Sequence, residues 1–95
     1  MRTFIILIND AVNSESVKNK IKQQNFYYFL NDTTCFVHSD STARDLYSVI
    51  SGYSNNVGVI ICEILLEAAE NYWGRADKGL WKWLSDRAQE EEAPL

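Results

Sequence analysis

Five apolar residues in a row, Phe4-Ile5-Ile6-Leu7-Ile8, end abruptly at Asn9-Asp10. A short unbroken run of mostly branched side chains predicts a strand covered on both faces, here over residues 3–8. The period then changes. Val17 and Ile21 stand four apart among Lys18, Lys20 and Lys22, which predicts a thinly striped helix ending near Gln24. Asn13 or Ser14 suits its N-cap, and Glu15 suits its first turn. Residues 25–30, Asn-Phe-Tyr-Tyr-Phe-Leu, read as an aromatic strand. Asn31-Asp32-Thr33 turns the chain, and residues 34–38 return as the second arm of a hairpin. Thr42 and Asp45 have capping-box spacing. Leu46, Val49, Ile50 and Tyr53 follow at helical intervals, and Gly52 with Ser54-Asn55-Asn56 stops that helix. Residues 57–64 are apolar almost throughout, which predicts a last strand in a central position.

The order βαββαβ is the ferredoxin-like arrangement, an α+β fold with a four-stranded antiparallel sheet and both helices on one face. The other face is then left open. Phe26, Tyr28 and Leu30 alternate with Tyr27 and Phe29, so neither side of the aromatic strand is polar. Such a sheet needs a second covering layer. Residues 65–70 extend the last strand or open a helix, and residues 71–77 read as a loop. Residues 78–89 read as a third helix, with Leu80, Trp81, Leu84 and Ala88 as its stripe and Trp83 at the edge. Trp81 is expected to act as a lid on the open sheet. The chain thus reads as one domain over residues 1–89 with an acidic frayed tail over 90–95.

Charge bears on which partners suit the chain. The net charge of −4 owes much to Glu90, Glu91 and Glu92, without which the chain would carry −1. A nearly neutral body argues against tight non-specific binding to nucleic acid, which needs several cationic phosphate contacts. No apolar run approaches a membrane span, and the first run is too short for a signal peptide, so the cytoplasm is the expected location. Cys35 and Cys62 lie in strand-like runs and His38 is the single histidine, which is no zinc signature. The thiols read as small hydrophobes, and His38 as a surface or dimer-edge residue.

The buried first strand ending in Asp10, its following helix, the aromatic hairpin, the second helix and the 57–64 strand together resemble the CRISPR-associated protein two family and its VapD-like relatives. Tyr72-Trp73-Gly74 and Leu80-Trp81-Lys82-Trp83 look more like the outlying SinR-like group. The resemblance implies a homodimer whose sheets pack face to face. It matches Asp10 to a strand-one aspartate proposed to bind magnesium across the dimer axis in nuclease members. Other members are non-catalytic scaffolds for DNA integration. This chain departs from the pattern by carrying lysines in place of an arginine-rich first helix and by its acidic balance.

Asp10 fits three roles: a ligand for one Mg²⁺, a catalytic base, or a strand terminator that caps the next loop. Lys18, Lys20, Lys22 and Arg44 could face phosphates together with Asn9 and Asn13, with Asn9, Asn13, Lys18 and Lys22 the leading set, although lysines on such a helix are usually only solvated. Trp73 and Trp83 fit a partner-binding surface, since tryptophan is enriched at binding hot spots. The leading expectation is a small dimeric binding protein acting with nucleic acid or a defence-system partner, without catalysis or cofactor. A magnesium-dependent nuclease using Asp10 is the alternative. A third reading is a protein-interaction module, an immunity or regulatory subunit, using the acidic tryptophan-rich end.

Overall fold

The computed structural model describes residues 1–24, 26–54, 56–65 and 78–92. The elements run β1 (Arg2–Ile8), α1 (Ser14–Ile21), β2 (Phe26–Asn31), β3 (Thr34–Ser39), α2 (Ala43–Ile50), β4 (Val59–Ile64) and α3 (Lys78–Glu92). The strands form one antiparallel sheet in the order β2-β3-β1-β4, the ferredoxin-like topology. The βαββαβ order read from the sequence is therefore the order of the fold. The third helix runs on to Glu92, and residues 93–95 lie outside the described ones.

Strand alternation divides the core in two. Phe4, Ile6 and Ile8 of β1 face α1 and α2, joined by Cys35 and Val37 of β3. Val17 and Ile21 from α1 and Leu46 and Ile50 from α2 close this cluster, so the thin stripe of α1 suffices to cover a sheet. The opposite face carries Phe36, which packs with Leu80 and Leu84 of α3. Ile5, Tyr28, Ile64, Trp81 and Trp83 surround that smaller cluster. The third helix is thus the second layer that the two-sided apolar sheet demands.

Two expectations are corrected. The last strand is an edge strand, not a central one, because β1 pairs with β3 on its other side. Its continuous apolarity has a different cause: Val59 and Ile61 pack against the helix-side core, while Ile60 and Cys62 alternate onto the other face. His38 is buried, at 2% exposure, rather than at the surface. The antiparallel register sets it opposite Thr3, whose hydroxyl lies 2.8 Å from Nδ1, and Phe26 meets the ring edge-on. That pairing joins residues thirty-five apart and has no local signature.

The capping of α2 follows the sequence. The Thr42 hydroxyl accepts the Asp45 backbone N–H at 3.2 Å. At the other end Gly52 takes a left-handed φ of 68°. Its N–H donates to Val49 and the Tyr53 N–H donates to Ser48, the paired bonds of a Schellman cap. The thiols lie on opposite faces: Cys35 packs in the core, where desolvation pushes its pKa up to about 12, and Cys62 is exposed. Both are free.

Candidate functional site

Asp10 follows the C-terminal end of β1, where the strand gives way to the loop before α1. Its Oδ1 accepts the Asn13 backbone N–H at 3.0 Å. Its Oδ2 accepts the Asn13 side-chain amide at 2.8 Å and the Gly58 backbone N–H at 3.0 Å. One carboxylate therefore ties the β1–α1 loop to the segment entering β4. The neighbouring Asn9 N–H donates to the Gly58 carbonyl at 2.7 Å, and the Tyr47 hydroxyl donates to the Val57 carbonyl at 2.8 Å. These bonds clasp β1, α2 and β4 together at one end of the sheet.

The clasp tunes its own charge. The Gly58 N–H foremost, then the Asn13 amide and the Asn13 backbone, hold the Asp10 carboxyl below the ordinary aspartate range. Because the folded pKa is depressed, the contribution to stability is present in full above the ordinary value of about 3.9 and is lost as pH falls through the folded value. Asp10→Asn, which sets an amide against N–H donors, is expected to lower the unfolding midpoint at neutral pH. It should also flatten the acid limb of the midpoint-against-pH curve. An unchanged acid limb would contradict the clasp.

The residues expected to face phosphates are not gathered on one free surface: Lys20 donates to the Ser16 hydroxyl at 3.3 Å on α1, and Arg44 stands on α2. Asn13 donates its amide to Asp10. Lys18 is mostly covered, with its ammonium 3.6 Å from Glu15 and 3.7 Å from Asp32. Lys22 lies over the Phe29 ring, 5.9 Å from its centroid. Asn9 borders a hollow of about 210 Å³ with Asp10, Ser14 and Thr33. Trp83 packs within its own chain, its ring 6.4 Å from Phe36 and 6.5 Å from Tyr28. Trp73 lies outside the described residues.

Two features escaped the sequence reading. Gly58 belongs to the clasp, and an isolated glycine within a strand-like run is the signal that could have found it. A more open cleft of about 640 Å³ runs between α2 and β4, lined by Arg44, Tyr47, Ser48, Tyr53, Ser54 and Ile61. Its helical side was visible only as i, i+3, i+4 spacing of Arg44, Tyr47 and Ser48.

No described helix is long and apolar enough to cross a membrane. The chain is an α+β ferredoxin-like domain with a hydrogen-bonded clasp at one end of its sheet. Comparison with protein-family models, curated proteins and solved structures gives no match.

Proposed function

We propose that this chain is a small homodimeric binding protein that acts with nucleic acid and does so without catalysis. The resemblance to the CRISPR adaptation and VapD-like group supports the class. The observation that carries the reading is the half-covered second face of the sheet. There α3 packs over Phe36, Ile5 and Ile64, whereas Leu7 and its direct partner Ile60 remain 39% and 54% exposed. Cys62 continues this apolar strip along β4, whose outer edge pairs with no other described strand. A face-to-face second copy would remove the strip from water. Ile60→Lys is expected to convert a dimer into a monomer in size-exclusion chromatography with light scattering, with the unfolding curve of the subunit retained.

The clasp supports the non-catalytic part. A carboxylate whose pKa is lowered by backbone and side-chain N–H donors is a weak base, and those donors commit it to the fold. The nucleic-acid part is tested by fluorescence anisotropy of labelled single-stranded oligonucleotides over a salt series. Binding that weakens linearly in log salt supports the reading, and no binding at low salt overturns it.

A second reading keeps Asp10 as a magnesium ligand. It is favoured by the ionised carboxylate lining the hollow beside Ser14 and Thr33. Magnesium-dependent cleavage by wild type that is lost in a folded Asp10→Asn protein would select this reading.

A further inference from the structure

We infer that the cleft between α2 and β4 binds a nucleotide unit, with the base against Tyr53 and the phosphate at Arg44. The inference rests on the nucleic-acid reading above and gives it a site away from the lysines of α1.

The first observation is an unusual backbone. The Schellman cap of α2 needs one left-handed residue, and Gly52 supplies it. Tyr53 nevertheless adopts the same region, with φ of 64°. A bulky residue there is a strained outlier, and such outliers concentrate at functional positions. The strain gains no burial, since Tyr53 is 82% exposed. An aromatic ring held in water by a strained backbone contributes little to the fold and presents a stacking platform.

The second observation is what surrounds that ring. Arg44 lines the same cleft and makes no ion pair among the described residues. Its guanidinium offers the forked donor set that suits phosphate. Tyr47 forms a fixed wall, because its hydroxyl is anchored on the Val57 carbonyl. Ile61 supplies an apolar floor. A cleft of about 640 Å³ falls within the usual size of small-ligand sites, roughly 300–1,000 Å³. An exposed aromatic face, a guanidinium with no ion pair among the described residues and an apolar floor match a planar base joined to a phosphate. The α1 lysines offer less: Lys18 is held by two carboxylates.

The test uses the full chain and a fluorescein-labelled oligothymidylate about ten nucleotides long, with free AMP and dTMP as competitors. Tyr53→Asn and Arg44→Gln are expected to weaken binding about tenfold each, and Tyr53→Phe to leave it little changed. Asparagine tolerates the left-handed backbone, so Tyr53→Asn should keep or raise the unfolding midpoint, which separates lost binding from lost folding. An oligonucleotide much tighter than the free nucleotides identifies a single strand as the source; equal affinities identify a soluble nucleotide. Wild-type binding that survives both Tyr53→Asn and Arg44→Gln but falls in Lys22→Glu overturns this site and leaves the nucleic-acid reading standing. No binding of either probe overturns both.

Discussion

Gly58→Ala is expected to destabilise the fold by about 2–4 kcal/mol, a large share of the ~5–15 kcal/mol typical of a domain. A Cβ at this position would stand 2.4 Å from the Asn9 carbonyl oxygen and 3.2 Å from its carbon. Both obstructing atoms are backbone and belong to Asn9, directly after β1, so no side-chain rotation relieves the clash. The displacement also breaks two bonds, Asn9 N–H to the Gly58 carbonyl and Gly58 N–H to Asp10. Gly52→Ala is the informative comparison. There the obstacle is the end of the flexible Lys20 side chain at 3.3 Å, and the cost is chiefly left-handed strain, about 1–2 kcal/mol. Urea unfolding of the two variants should therefore rank Gly58→Ala well below Gly52→Ala. Equal losses would mean that the close approach at Asn9 is not a constraint.

Leu84→Ala is expected to cost about 2–4 kcal/mol and to act on α3 before the rest. Leu84 is 3% exposed and shares a small cluster with Phe36 and Leu80, separate from the helix-side core. Two clusters on opposite faces permit partial unfolding in which α3 leaves the sheet while α1 and α2 stay docked. The three tryptophans stand at positions 73, 81 and 83, so fluorescence excited at the red edge, where tyrosine does not absorb, reports this end of the chain. In the variant, the fluorescence transition should move to lower denaturant than the far-ultraviolet circular dichroism transition. Coincident transitions would show that α3 and the main core unfold as one unit.

Local pattern carried the elements because their causes are local. The Phe4–Ile8 run, the Asn31-Asp32-Thr33 turn, the Thr42 cap and the Gly52 stop all act within a few residues. The need for a second layer was also legible, since Phe26, Tyr28 and Leu30 alternate with Tyr27 and Phe29 and leave no polar face. What failed was long-range. Burial of His38 depends on a register with Thr3, and the edge position of β4 depends on which strand β1 pairs with. The site divided in the same way. Asp10 stood out as a polar stop to a strand, but its partner Gly58 is forty-eight residues away. Lys18 and Lys22 looked like a cationic face because the spacing of α1 cannot show that Asp32 and Phe29 on the hairpin reach them. Tyr53 looked like a last turn of helix, since its left-handed φ has no sequence signal.

The strip left open by α3, from Leu7 to Ile60 and Cys62, is expected to close against a second copy of the chain. Sedimentation equilibrium over a wide concentration range tests it most directly. The expected result is a particle of twice the 10.9 kDa chain mass that Ile60→Lys reduces to a single chain. A wild-type protein that sediments as one chain at the highest concentration, with no tendency to associate, would contradict the claim.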